Sequence, residues 1–231
     1  MTLEDLDGLC RERGFDLDDN KKSQLKTYMD LLLEWNEKFN LTAITDPNEI
    51  LEKHFYDSVI PLNSNITGKV ADVGTGAGFP GIVWKIVNND LDVSLIEPTG
   101  KRCKFLDEVI HRLGLDHIQV FNVRSEDHAK EFREYYDVVT ARAVANLPIL
   151  AELCVPLVKK NGLFIAMKGS SGMIEHRNAT HACQVLGIRL ENALETVLPG
   201  GDGRYVLYYR KHVATDKKFP RNFGQIRKKP L

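Results

Sequence analysis

The run Val70-Ala71-Asp72-Val73-Gly74-Thr75-Gly76-Ala77-Gly78-Phe79-Pro80-Gly81 decides the fold. Its first four residues read as a buried strand, and GTGAGFPG follows without a break. Glycines at a strand end let the backbone turn tightly and let a ligand approach it closely. In an open parallel sheet, ligands sit outside the carboxyl ends of the strands. Glu97 ends the next strand candidate, 23 residues after Gly74. An acid at about that distance accepts hydrogen bonds from ribose hydroxyls.

The loop admits more than one reading. Residues 76–81 also spell the dinucleotide pattern G-x-G-x-x-G. Two neighbours argue against that ligand. Pro80 has no N–H, which removes a donor from the helix start where a pyrophosphate would rest. Asp72, just before the first glycine, repels phosphates and suits a ligand bearing an ammonium group, as S-adenosylmethionine does. The residues therefore point to S-adenosylmethionine, with a nicotinamide dinucleotide and a ligand-free turn as the alternatives.

Outward from the loop, short apolar runs alternate with helical stretches. Strands are expected at 70–73, 93–97, 118–121, 136–141 and 163–167, and helices at 81–88, 101–113, 126–133, 147–158 and 172–187. Such alternation predicts an α/β fold, a mostly parallel sheet with helices on both faces. Residues 189–197 and 205–211 flank Pro199-Gly200-Gly201-Asp202-Gly203 and read as a hairpin closing one sheet edge. The first third is helical instead. Leu25, Tyr28, Met29, Leu32, Trp35 and Phe39 recur at three- and four-residue spacing, giving an amphipathic helix over 18–39. Asp46-Pro47 starts another, in which Ile50, Leu51, His54, Phe55, Ser58 and Val59 share a face until Pro61. The division is an N-terminal helical extension, 1–66, and a sheet-based core with a basic tail, 67–231.

With 231 residues, 43% of them hydrophobic and 27% charged, the chain reads as soluble and globular. No apolar run approaches a membrane span, and MTLEDLDGLCRERG lacks the apolar core of a signal peptide. Four dispersed cysteines form no C-x-x-C pair, which disfavours a metal site and suits a reducing cytoplasm. The net charge of -1 hides an asymmetry. Residues 1–66 hold seven basic and fourteen acidic residues, whereas the last sixteen hold six basic and one acidic. That distribution suggests a side facing a polyanion, or else a solvated charged tail.

Several separated motifs extend the reading: Trp35-Asn36, Asn40-Leu41-Thr42, His54 with Asp57-Ser58, DVGTGAGFPGI, Lys101-Arg102 with Phe105-Leu106, Thr140-Ala141-Arg142-Ala143, Lys168-Gly169, and Pro220-Arg221 with terminal Lys229-Pro230-Leu231. Together they resemble the RsmG (GidB) family of bacterial small-subunit ribosomal RNA guanine-N7 methyltransferases, over nearly the whole chain. The resemblance implies a Rossmann-like class I S-adenosylmethionine-dependent methyltransferase fold behind a helical extension. It implies as substrate one guanine of the 530 loop of 16S rRNA, position 527. It places cofactor contacts on Gly74, Gly76, Phe79, Glu97, Ser125, Glu126 and Arg142. Pro98, where a small polar residue is expected, and Asn222, where a basic one is, depart from the pattern.

Guanine N7 has an in-plane lone pair and no proton at neutral pH, so its methylation requires no general base. Positioning and exclusion of water should then carry catalysis. Arg142 follows the fourth strand and Lys168 the fifth, and both are candidates to hold a phosphate or guanine O6. Asp57 and Glu126 are candidate carboxylates near a cationic product. Lys101, Arg102 and Lys104 are candidate phosphate contacts. Phe79 is equally a base stack or a core ring. His54, on an apolar helix face, is expected to be a satisfied core residue, and Asn40-Leu41-Thr42 a helix cap. The expected partner is 16S rRNA or the small ribosomal subunit, bound by a monomer. A nicotinamide-dependent oxidoreductase and a non-catalytic ribosome-binding factor are the rival readings.

Overall fold

The computed structural model describes residues 1–231. The extension opens with α1 (Leu3–Glu12), started by a capping box between Thr2 and Asp5. Next comes α2 (Asp19–Phe39), whose first turn is capped by the Asp18 carboxylate. Asn40 ends α2 in the left-handed conformation, φ 50°. Asp46 caps a third helical run with Pro47 in its first turn, as the dipeptide predicts. That run is not uniform. It passes from α3 (Pro47–Ile50) through a π-helical turn (Leu51–Tyr56) into α4 (Asp57–Val59). Helical periodicity in sequence does not distinguish π from α winding, so the turn is a structural finding.

The core alternates β1 (Lys69–Val73), α5 (Gly81–Val87), β2 (Asp92–Ile96), α6 (Gly100–Leu113), β3 (Ile118–Phe121), α7 (Ser125–His128), β4 (Tyr136–Arg142), α8 (Leu147–Cys154), β5 (Val158–Gly169), α9 (Gly172–Asn178), α10 (Thr180–Leu186), β6 (Ile188–Val197), β7 (Gly203–Lys211) and α11 (Phe223–Lys228). The seven strands lie in the order β3-β2-β1-β4-β5-β7-β6. The first five are parallel, and β7 runs antiparallel to both of its neighbours, β5 and β6. The chain winds outward from β1 in both directions, so the β1/β4 boundary is the topological switch point.

Three expected helices are shorter than their apolar patterns suggest. The stretch 126–133 holds helix only through His128. Past it, His128, Phe132 and Tyr136 pack as a cluster of rings instead. The stretch 172–187 divides at Ala179, which has φ -94° and ψ 7°. Residues 155–157 tighten into a 3-10 turn around Pro156, which cannot donate to the ladder. Strand β5 begins five residues before the expected 163, carrying Asn161 at φ 64° within it.

Each sheet face has its own apolar cluster. One joins Val70, Val83, Val93 and Leu106 to Leu6, Leu25, Leu32 and Phe55 of the extension. The other gathers Val139, Leu150, Phe164 and Tyr209 with Phe219 and Ile226 of the tail. The tail is therefore not a loose solvated arm, and its charge count hid its packing. Arg221 binds Glu152, which is 0% exposed, through its guanidinium and backbone N–H. Arg133 donates to the carbonyls of Thr215, Asp216 and Phe219. Asn222, at the position where the resemblance leads one to expect a basic residue, caps α11 by accepting from Gln225 N. No helix is long and apolar enough to cross a membrane.

Candidate active site

Two cavities lie at the carboxyl ends of the parallel strands. The first opens beside the start of the glycine loop, at Val73 and Gly74. Gly74, Gly76 and Gly78 have φ of 66°, 63° and 100°, conformations that L side chains rarely adopt. The three play different parts. A Cβ on Gly74 would lie 2.7 Å from Val144 Cγ2, and one on Gly78 2.6 Å from the Tyr28 hydroxyl. A Cβ on Gly76 would meet nothing closer than a backbone oxygen at 3.9 Å, so Gly76 forms the open floor of the loop.

Two buried acids hold the loop in place. Asp72 Oδ2 accepts from the Thr75 hydroxyl at 2.6 Å and from Gly81 N, at the start of α5, at 2.8 Å. Its Oδ1 is buried without a partner. Burial pushes the Asp72 carboxyl up to about 6, against the hydrogen bonds from Thr75 and Gly81. Glu97, 1% exposed, accepts from Gly76 N at 3.0 Å and from Thr99 N at 2.8 Å. Tyr28 of α2 donates to Ala77 O, and its ring stacks on Phe79 with centroids 5.3 Å apart. The extension thus buttresses the loop. Ile96 at the end of β2, Pro98 after it, Ser125 and Glu126 after β3, and Val144 after β4 line its walls. Ser125 Oγ donates to Leu153 O at 2.7 Å.

The second cavity, of about 410 Å³, is charged. Arg142 ends β4 and Lys168 lies near the end of β5, both at the carboxyl edge of the parallel strands. Arg142 donates to Asp57 Oδ2 at 3.1 Å and to Lys53 O at 3.0 Å, and its guanidinium lies 5.1 Å from the centre of the Phe79 ring. Burial draws its pKa below the usual range, opposed by Asp57. Arg204 of β7 reaches the other oxygen of Asp57 at 3.3 Å. Lys168 donates to Ala145 O and pairs with Glu175 at 2.9 Å.

His54 also lines this cavity. The π-helical turn carries it over Phe79, with rings 4.5 Å apart and inclined by 15°. A guanidinium can only donate, so the 3.3 Å contact from Arg142 makes His54 Nδ1 an acceptor. The proton therefore sits on Nε2, 2.9 Å from the Thr42 hydroxyl. Burial, reinforced by the Arg142 charge, pushes His54 down to about 3 and keeps the ring neutral.

The structure thus distributes the candidate residues. Gly74, Ser125 and Glu126 line the first cavity, with Gly76 and Glu97 in the loop clamp beside it. Arg142 and Lys168 line the second, where Asp57 joins them. Phe79 is 5% exposed, packed between Tyr28, His54 and Arg142. Lys101 stands apart, over the Phe39 ring, whereas Arg102 lies 3.7 Å from Glu97 of the clamp. Two pocket residues are not evident as such in the sequence. His54, expected in the core, carried a usable signal, since Asp57 follows one helical turn later. Arg204 carried none, because its partner lies 147 residues away in another element.

Residues 21–199 match the GidB family, described as rRNA small subunit methyltransferase G. Curated relatives named ribosomal RNA small subunit methyltransferase G align along almost their full length. That of Streptococcus gordonii is 41% identical, covering 100% of both chains. That of Lactobacillus johnsonii is 44% identical over 94% of this chain and 95% of its own. That of Clostridium botulinum is 42% identical over 98% and 97%. Among solved structures, M. jannaschii TYW2 in complex with AdoMet shares the fold with a TM-score of 0.58, 17% identity, and 74% and 80% coverage. A 16S rRNA (adenine(1408)-N(1))-methyltransferase of Catenulisporales acidiphilia does so with a TM-score of 0.53, 14% identity, and 64% and 87% coverage.

Proposed function

Because this chain belongs to the rRNA small subunit methyltransferase G family, we propose that it methylates N7 of one guanine, position 527 in the 530 loop of 16S rRNA, with S-adenosylmethionine as donor. One observation carries the reading: neighbouring residues of the β4–α8 connection line the two cavities. Arg142 lines the charged cavity and Val144, two residues on, lines the glycine-loop cavity. A donor in one and an acceptor base in the other would approach across the same short β4–α8 connection.

The residues present fit S-adenosylmethionine. Gly76 leaves an open backbone floor, and the buried Asp72 Oδ1 lacks a donor. Gly74, Gly76, Glu97, Ser125 and Glu126 would hold the cofactor, with the main chain beside Phe79. When bound, it would supply an electrophilic sulfonium methyl to which the guanine N7 lone pair can donate without loss of a proton, the S–CH3 bond breaking to leave a neutral thioether. The protein's task is then positioning. Arg142, Arg204 and Lys168 present cationic donors suited to a phosphate or to guanine O6. Asp57, engaged by both arginines, fixes their direction. His54, neutral with Nδ1 engaged by Arg142, is part of the pocket wall rather than a base. The acceptor guanine must leave its stack to enter, which a loop permits at less cost than a duplex.

The same reading keeps residues 1–66 as an extension of the core at 67–231, a monomer acting in the cytoplasm on 16S rRNA or the small ribosomal subunit. The test is to map the nucleotide that gains a labelled methyl on ribosomal RNA from cells lacking this enzyme. Label at N7 of position 527 is expected. Label at another base or another atom overturns the assignment.

A further inference from the structure

The C-terminal segment reaches the glycine-loop cavity, an approach that the basic character of the tail gave no reason to expect. Phe223, the first residue of α11, lines that cavity together with Gly74 and Ile96. The Arg124 guanidinium lies 5.6 Å from the centre of its ring. One turn of α8 ties this wall to the rest of the cavity. Glu152 binds Arg221, two residues before Phe223, while Leu153 accepts from Ser125 and itself lines the cavity. Ile226, 0% exposed, anchors the far side of the short helix.

We propose that Phe223 is a cofactor-positioning residue, its ring packing on the adenine of S-adenosylmethionine and making the C-terminal segment a wall of the nucleoside site. This rests on the assignment of the cofactor to this cavity. The chemistry suits the occupant. An aromatic face stacks on any flat base, and the neighbouring walls, Ile96, Pro98 and Val144, are apolar. Among the residues lining the cavity, Glu126 alone carries a carboxylate able to accept from an exocyclic amine. Binding of the nucleoside should then stabilise the tail, and loss of the ring should weaken the nucleoside end specifically.

The experiment measures affinities by calorimetry for S-adenosylhomocysteine and for 5′-methylthioadenosine, which lacks the amino-acid end. Phe223→Leu keeps apolar bulk and removes the ring face. Both ligands are expected to bind about 10-fold more weakly to it, the loss typical of one base stack. Unchanged affinity in a folded Phe223→Leu protein overturns the proposal. Gly76→Asp separates the two levels of argument. If it abolishes binding while Phe223→Leu does not alter it, the cavity assignment stands and the Phe223 role fails. If neither alters binding, the cavity assignment itself fails. The unmodified chain gives an independent measurement. S-adenosylhomocysteine should slow tryptic cleavage after the exposed Arg227 and Lys228 several-fold, and an unprotected tail overturns the proposal.

Discussion

The two cavities are built by opposite means. The glycine-loop cavity is shaped by backbone: three positive-φ glycines, a strand end, and two acids clamping main-chain N–H groups. Its central parts come from consecutive residues. The charged cavity is shaped by side chains from several elements, with Asp57 holding Arg142 from β4 and Arg204 from β7 while His54 bridges Arg142 to Thr42. A backbone site depends on the absence of side chains. A site of paired charges depends on every member being present.

The sharpest break of that contrast is at Gly76. Gly76→Asp places a charged side chain on the open floor at φ 63°, where L residues carry about 1–2 kcal/mol of strain. S-adenosylmethionine affinity should fall roughly 100-fold or more, about 2.7 kcal/mol, with a smaller loss of stability. Calorimetry beside urea unfolding separates the two, and retained affinity would move the cofactor away from this loop. At Asp57 the expectation reverses, with stability falling first. Asp57→Asn leaves Arg142 and Arg204 facing each other, at a cost of about 2–4 kcal/mol, below the buried-pair range because both arginines keep some exposure to solvent. A cycle with Arg204→Ala should show coupling of about 1 kcal/mol or more. Strict additivity would make the pocket an ordinary set of solvated charges.

The pH dependence of unfolding tests the neutral histidine. His54 sits at about 3 in the folded chain against an ordinary 6.5, so the unfolded chain binds the extra proton between those values. Stability is lost as pH falls through that window, by up to about 2 kcal/mol from pH 7 to pH 5 for this group. Asp72, raised to about 6, acts with the opposite sign, gaining stability as pH falls from about 6 toward 3.8. His54→Gln should therefore flatten the acid limb relative to the unmodified protein, and identical limbs would mean the ring is protonated in the fold. The smallest effect is expected at the exposed end of the tail. Lys228→Ala with Lys229→Ala should leave the unfolding midpoint unmoved. It should reduce the slope of log affinity for single-stranded RNA against log salt by roughly 0.7 for each phosphate no longer neutralised. An unchanged slope would limit the tail to its packing role. Deleting the whole tail does not serve the same purpose, because it strips Glu152 of its partner and removes Phe219 and Ile226 from the core.

Legibility followed the same division. The Asp46 cap, the mostly parallel sheet and the C-terminal hairpin could be read because caps, strand periodicity and turn residues act over a few positions. The lengths of α7, α9 and α10 could not, because aromatic packing and a local break at Ala179 overrode helical pattern. Tyr28 read as one apolar position on α2, yet its hydroxyl anchors the glycine loop 49 residues away. His54 read as core for the same reason: a residue's face is visible in the sequence, but what lies against that face is not.

By itself, the sequence determined the α/β architecture, the glycine loop and its acids, and the family, since each is written in short-range pattern or in motifs. The tertiary structure alone decided that Arg204 completes the charged pocket, that the π-helical turn brings His54 onto Phe79, and that the basic tail is packed against α8 and the glycine-loop cavity. The physical reason is range. Backbone conformation answers to neighbouring residues, whereas a buried charge answers to whichever partner the fold brings within about 4 Å, at any separation along the chain.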